Sequence, residues 1–297
     1  MGTKIVRKVL IDGDYIVYAA GFAGQHTEYV YLRGGGLPTM RHDSIGEVYE
    51  VYGKDIDRAN LFARTYTDPP AHIFHSAKIM LEKIEKTVRE KFPRDELDFR
   101  IYIDGDGNFR QKIATIRPYK ALRGERPIFY HELREYLRGQ WDAMLVHDQE
   151  TDDAISIAAH AASPIATPVI VGVDKDLLQI PGIHYNPNKG WATISPKLGE
   201  CLLYRQCLTG DSTDNIGGCY RIGAVKAKGL IAPMQTEESK WESVLNAYRA
   251  SVVMHGEEIY NGLTADEAAV ENMQLVYLRT RPGEIWLPPG EREQDAA

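Results

Sequence analysis

The stretch VLIDGDYIVYAA, residues 9–20, runs an apolar segment straight into two aspartates two positions apart. Val9, Leu10 and Ile11 read as a buried strand, and aspartate is a poor strand residue, so the strand ends at Asp12. The tetrapeptide IDGD recurs in RIYIDGDGNF, residues 100–109, again after an apolar run. Like charges brought together cost free energy unless a cation sits between them. Two strand ends that carry the same pair of carboxylates therefore point to a cation site.

Outward from these two segments the chain alternates strand and helix patterns. HSAKIMLEKIEKTVREKF (75–92) places Ala77, Leu81, Ile84, Val88 and Phe92 near helical spacing. Then follow a strand DFRIYI (98–103), a helix FYHELREYLRG (129–139), a strand AMLVH (143–147), a helix TDDAISIAAHAA (151–162) and a strand PVIVGV (168–173). Alternation of this kind implies a mostly parallel sheet covered on both faces, an α/β fold. TEYVYLRGGGLPTMRHDSIGEVYEVYG (27–53) alternates on both sides of a Gly-rich turn, which predicts a hairpin or mobile excursion. From about residue 201 the patterns are all helical: CLLYRQCLTG, GAVKAKGLI, KWESVLNAYRASVV and ADEAAVENMQLVYLR. The reading is an α/β domain over 1–200 and a helical region over 201–297, ending in a solvated tail, GEREQDAA.

Composition narrows the class. The chain has 297 residues, 43% hydrophobic and 26% charged, as ordinary globular proteins do. No apolar run approaches a membrane span of about 20 residues, and the N-terminus lacks the apolar core of a signal peptide. Cys201, Cys207 and Cys219 follow no zinc spacing and cannot all pair, so a reduced, cytoplasmic protein is expected. The net charge of −7 argues at first against a nucleic-acid partner. The charge is segregated, however: residues 110–138 hold eight Lys or Arg against three Glu, and the acids gather at strand ends.

Ligand sites in open α/β sheets lie at the carboxyl ends of the strands. Asp12 and Asp14, Asp104, the group Glu150, Asp152 and Asp153 in VHDQETDDA, and Asp174 and Asp176 in VGVDKDLLQI all fall there. Hard divalent cations such as Mg²⁺ take oxygen ligands and keep several waters, so such a set suits them. Any one of these acids alone would be read as a turn residue or helix cap; the joint pattern carries the inference. DGDGNF resembles the start of a calcium loop, but Phe109 and Thr115 stand where Gly and Glu are required. VLIDGD also resembles the nucleophile pair of DxD phosphatases, without the Thr expected after it. His26, His42, His72 and His75 are expected at the surface or in packing.

LTGDSTDNIGGCYRIGAVKAKGLI, residues 208–231, resembles the GDSSDNIPGVPGVG-type motif of the 5′ nuclease family. That family includes flap endonucleases, bacteriophage 5′–3′ exonucleases and the 5′ nuclease domain of bacterial type I DNA polymerases. Four further segments match in order: LIDGDYIVYAA, IDGDGNFRQKIATIRPYKALR, ETDDAISIAA and VGVDKDLLQI. The resemblance implies a PIN-like α/β fold with a C-terminal helix–hairpin–helix-type region that grips duplex DNA. It implies two Mg²⁺ sites, with Mn²⁺ able to substitute. The first would centre on Asp12, Asp104, Glu150 and Asp152; the second would draw on Asp153, Asp174, Asp176, Asp211 and Asp214. Asp14 and Asp106 stand where the family often has other residues and are left out.

Lys120 and Arg123 would meet the scissile phosphate as fixed positive charge, and Tyr119 would either stack on an unpaired terminal base or serve in packing. Gly217, Gly218 and Gly223 would allow close backbone approach to duplex phosphates, with Lys226 and Lys228 adding charge. GCYRIG departs from GVPGVG, which puts potassium (K⁺) binding in that turn in doubt. The implied activity is metal-dependent hydrolysis of DNA at or near 5′ ends, flaps or nicks, with RNA–DNA hybrids as further substrates and replication proteins as partners. The alternatives are a non-catalytic DNA-binding module of the same fold and a DxD phosphatase with Asp12 as nucleophile.

Overall fold

The computed structural model describes residues 6–32, 40–122, 124–162 and 166–292. The elements run β1 (Val6–Asp12), α1 (Gly13–Ala23), β2 (Gln25–Tyr31), α2 (Ile45–Tyr52), β3 (Leu61–Thr67), α3 (Pro70–Lys91), β4 (Glu96–Asp104), α4 (Arg110–Ile113) and α5 (Tyr130–Trp141). They continue with β5 (Met144–Val146), α6 (Thr151–His160), β6 (Val169–Val171), β7 (Gly182–Asn186), β8 (Gly190–Ile194), α7 (Pro196–Thr209), α8 (Ala224–Ile231), α9 (Glu237–His255) and α10 (Ala265–Val276). Two compact units result. The larger comprises Met1–Asp14, Phe92–Gly124 and Asp142–Ala297; the smaller comprises Tyr15–Lys91 and Glu125–Trp141.

The larger unit is built on a sheet of order β5-β4-β1-β6-β7-β8. All pairings are parallel except β7 with β8. This is a mixed, mostly parallel sheet flanked by helices. The central strand β1 buries Val9, Leu10 and Ile11, as a strand covered on both faces must. The α7–α10 helices close a second core in the same unit, with Tyr204, Leu208, Val244, Tyr248 and Met273 fully buried. The parts expected as 1–200 and 201–297 thus both contribute to the larger unit, and the compact units run along a different line from the division by element type.

The repeated IDGD has a steric cause. A Cβ on Gly13 would lie 2.5 Å from Ile103 Cγ2 and 2.6 Å from the Tyr102 carbonyl oxygen. One on Gly105 would lie 2.3 Å from the Val146 carbonyl oxygen. In each copy the chain leaves its strand by passing over the neighbouring strand, and only glycine fits.

Two expectations change. The hairpin over 27–53 has its first strand, β2, but β2 pairs antiparallel with β3. The second half of that stretch is instead the helix α2, capped by Ser44, whose Oγ accepts the Glu47 N–H at 3.2 Å. The Ser-x-x-Glu cap outweighed the alternation of valines and tyrosines. Only a bridge between Tyr29 and His42 remains of the expected pairing; the Gly-rich turn lies outside the described residues, as does most of the GEREQDAA tail. The second change is an addition: GIHYN and GWATI form the β7–β8 hairpin, which sequence reading passed over.

In the smaller unit, α3 buries Ile73, Ala77, Leu81, Ile84 and Val88 along one stripe, as its spacing predicted. Phe74 stacks on Tyr136 of α5 at 5.1 Å.

Candidate active site

Because β1, β4, β5 and β6 are parallel, their carboxyl ends share one edge, and the acids that follow them converge. Asp12 closes β1 and Asp14 opens α1; Asp104 closes β4; Glu150 caps α6; Asp174 and Asp176 follow β6. The turn after α7 adds Asp211 and Asp214, with Asp211 and Ile216 exchanging backbone hydrogen bonds of 2.9 and 2.7 Å. Nine carboxylates line one cleft in the larger unit: Asp12, Asp14, Asp104, Glu150, Asp152, Asp174, Asp176, Asp211 and Asp214. Tyr119, Lys120, Thr151 and Lys175 line it too.

Three sets of hydrogen bonds fix the acids. Asp14 Oδ2 accepts the Asp104 N–H at 2.8 Å and lies 2.8 Å from the Thr151 hydroxyl. Thr151 also donates its N–H to Asp104 Oδ1 at 2.8 Å, which ties the end of β4 to the start of α6. Glu150 receives Asn108 Nδ2 at 2.8 Å, the Tyr119 hydroxyl at 2.9 Å and the Lys120 ammonium. Lys120 stands 3.6 Å from Asp214 as well, and holds a left-handed φ of 57° while its N–H donates to the Asp214 carbonyl at 2.9 Å. Lys175 Nζ lies 2.7 Å from Asp211 Oδ2. Asp176 receives Gln206 Nε2 at 2.8 Å.

These partners divide the acids electrostatically. Burial pushes the Glu150 carboxyl up, but Lys120 and Arg110 beside it leave it below the usual range. Burial likewise raises Asp211, and the Lys175 ammonium and the Thr213 N–H more than reverse this. For Asp152 and Asp176 burial and like charge prevail, although Gln206 and Lys175 partly relieve Asp176. Burial first, then Asp174 and Asp12, push Asp152 well above the usual carboxylate range. Burial and Asp174 push Asp176 up to about 7. A cluster that resists its own ionisation is one in which added positive charge is favourable.

Among the described residues no three acid, histidine or cysteine side chains stand close enough to hold an ion as arranged. Several of their oxygens are instead engaged by Lys120, Lys175, Asn108 and Gln206. The donor set is nonetheless all oxygen and heavily anionic, which fits cations such as Mg²⁺ or Mn²⁺ that reach many of their ligands through retained water.

Three sequence-derived assignments are corrected. Asp153 does not line the cleft: it is fully buried, and Arg110 grips it through Nη1 at 2.6 Å and Nη2 at 3.0 Å. It also accepts the backbone N–H of Glu150 and of Arg279, so it fixes the loop that carries the site. Tyr119 is 8% exposed and packed in the helical core, which leaves no face for a base. Its hydroxyl reaches Glu150 and, at 3.0 Å, Asp214. Gly218 is buried and donates its N–H to Asn272 Oδ1 at 3.0 Å, so that amide is not available to a phosphate.

Gly217 is exposed under the Arg117 guanidinium, and Gly223 caps α8, which exposes Lys226 and Lys228. None of these four lines the cleft. Arg123 lies outside the described residues. In GCYRIG, Arg221 takes the place of the central glycine and adopts φ 61°, so the turn keeps a left-handed position without it. Sequence reading placed Asp14 at the strand end but left it out of the ligand set, and it missed Asn108, Thr151 and Lys175. Lys175 could have been found, since it lies between two acids already assigned; Asn108 and Thr151 carry no pattern of their own.

No family model matches the sequence. Among solved structures, the bacteriophage T5 D15 protein co-crystallised with metal ions matches with a TM-score of 0.51 at 13% identity, over 93% of this chain and 90% of that one. The T5 5′-exonuclease with zinc ions bound matches with a TM-score of 0.51 at 15% identity, again over 93% and 90%. The chain has the fold of these 5′ nuclease structures.

Proposed function

We propose that this chain is a divalent-metal-dependent nuclease that hydrolyses phosphodiester bonds of DNA at or near 5′ ends, with Mg²⁺ as its ion and Mn²⁺ as a substitute. The observation that carries the reading is the single cleft lined by nine carboxylates, with Lys120 reaching two of them. An idle binding module would have no reason to keep so much like charge together. The fold shared with metal-bound T5 nuclease structures supports the same reading.

Two Mg²⁺ ions held among these carboxylates would supply a hydroxide at neutral pH and stabilise charge on the leaving oxygen. The chain's own residues do the rest. Asp12, Asp104, Glu150, Asp152, Asp174, Asp176, Asp211 and Asp214 supply the ligand oxygens. Asp14 and Thr151 hold Asp104 in place, and Asp153 holds the Glu150 loop. Lys120 presents its ammonium to the phosphate being cut, where a fixed charge counts most as negative charge develops. Gly223, Lys226 and Lys228, at the start of α8, take the backbone of the duplex, and an RNA strand paired to DNA fits the same contacts. The phosphatase reading requires a proton donor two residues after Asp12. Asp14 Oδ2 instead accepts the Asp104 N–H and faces the Thr151 hydroxyl, which commits it to holding β4 and α6 in place.

The test is cleavage of 5′-labelled and 3′-labelled duplex and flap DNA with product sizes read. Short 5′-derived products in Mg²⁺ or Mn²⁺, abolished by chelator, are expected. Degradation from 3′ ends, or activity without divalent ions, would overturn the reading.

A further inference from the structure

Among the described residues, the cleft is lined by three fixed positive charges: Arg110, Lys120 and Lys175. Arg110 is 1% exposed and committed to Asp153 and to the carbonyls of Leu275 and Tyr277. The Lys120 side chain is 15% exposed and sits between Glu150 and Asp214. Lys175 differs from both. Its side chain is 65% exposed, while the carboxylate it pairs with, Asp211, is 5% exposed. Its backbone is held in place, because the Asp176 N–H donates to Asp174 Oδ1 at 2.8 Å across it. A flexible stem therefore rises from a fixed point between two acids of the cleft, with its charge at the solvent side.

We propose that Lys175 is a phosphate-binding residue that changes partner: it neutralises Asp211 in the free protein and passes to a substrate phosphate when a divalent cation takes over that carboxylate. The proposal rests on the nuclease reading and adds to it a residue that couples ion to substrate. A half-buried carboxylate cluster needs a counterion, and Lys175 serves as one. A divalent ion at Asp211 would repel the ammonium and remove the reason for it to stay. A DNA phosphate entering the cleft offers the replacement. Ion and phosphate then strengthen each other's binding, by equal factors.

The consequence is a pair of effects of opposite sign. Without DNA, Lys175 competes with the ion, so removing it tightens ion binding. With DNA, Lys175 contributes a phosphate contact, so removing it weakens DNA binding. A residue that merely supports the fold would move both in the same direction or neither.

Lys175→Met keeps most of the stem and removes the charge. Titration calorimetry with Mn²⁺ on the DNA-free protein should show binding about two- to fivefold tighter than wild type, the range of an exposed ion pair. Binding of a 5′-flap DNA in Ca²⁺, which suppresses hydrolysis, should weaken by about fivefold, with the salt slope reduced by about one. Lys175→Arg should restore DNA binding, and Lys175→Gln serves if the methionine variant does not fold. Weaker or unchanged Mn²⁺ binding in the charge-free variant would overturn the exchange, and unchanged DNA affinity would overturn the phosphate contact. If the wild type cleaves 5′ ends while both affinities stay put, the nuclease reading stands and this proposal falls. If the wild type cleaves nothing, the nuclease reading falls, and the pair of affinities still decides the role of Lys175.

Discussion

Asp152 and Asp153 are adjacent in sequence and opposite in circumstance. Successive helix residues point about 100° apart, so at the start of α6 only one of them can face the cleft. Asp152 does, among like charges; Asp153 faces the interior and Arg110. Nothing in the letters ETDD says which is which, because the choice is made by an arginine more than forty residues earlier in the chain. The difference should be large on substitution. Asp153→Ala leaves a buried guanidinium without its partner and should cost about 3–5 kcal/mol, read as a lowered denaturant midpoint. Arg221 presents a smaller case. A non-glycine residue at φ 61° carries about 1–2 kcal/mol of strain, part of which a glycine gives back as unfolded-chain entropy. Arg221→Gly should therefore raise stability by up to about 1 kcal/mol; a loss would show that the guanidinium over Tyr220, at 5.2 Å, outweighs the strain.

At the scale of elements, the strands and helices that build the acid edge were legible because each repeats its pattern over several turns or is bounded by glycine and acid. The strand β1 and helices α3, α6 and α8–α10 follow their patterns closely. The β7–β8 hairpin was not legible: its two five-residue strands are too short to show a period, and the PNK between them reads equally as a loop. The partner of β2 was hidden for another reason, since 29 residues separate β2 from β3 and local alternation cannot see that far. Helix α8 carries a prediction of its own. Lys226 and Lys228 are exposed beyond the exposed N-terminus at Gly223. Replacing both by Ala should weaken binding of duplex-containing DNA and lower the salt slope by about 1–2; an unchanged slope would make them ordinary solvated lysines.

For the whole molecule, the cleft makes metal-free stability depend on pH with a definite sign. Asp152 and Asp176 bind protons more tightly folded than unfolded. Their contribution is fully present below the ordinary carboxylate range and is lost as pH rises through about 7 for Asp176. Glu150 and Asp211 are shifted the other way, and their contribution is lost only as pH falls below the ordinary range. Metal-free protein should therefore melt lower at pH 8 than at pH 5.5, and Mg²⁺ should raise Tm more at pH 8, where protons no longer compete for the carboxylates. Equal Tm shifts at both pH values would mean that the ion does not bind in this cluster. The acid-lined cleft was legible in the sequence because the acids are many and ordered. Their internal partners were not, because contacts such as Lys175 with Asp211 and Tyr119 with Asp214 join segments far apart in the chain.

The central claim is that these carboxylates act in bond cleavage rather than in DNA binding, and Asp12→Ala tests it most directly. Asp12 closes the central strand, is 7% exposed and belongs to the group that presses on Asp152. The measurement is single-turnover cleavage of a 5′-labelled flap in Mg²⁺ at saturating protein, beside DNA binding in Ca²⁺. Loss of one ligand removes stabilisation made only in the transition state, while the basic contacts that set affinity survive. The account predicts a fall in rate of about a thousandfold or more with Kd within about threefold of wild type. A folded Asp12→Ala protein that cuts at close to the wild-type rate would contradict it.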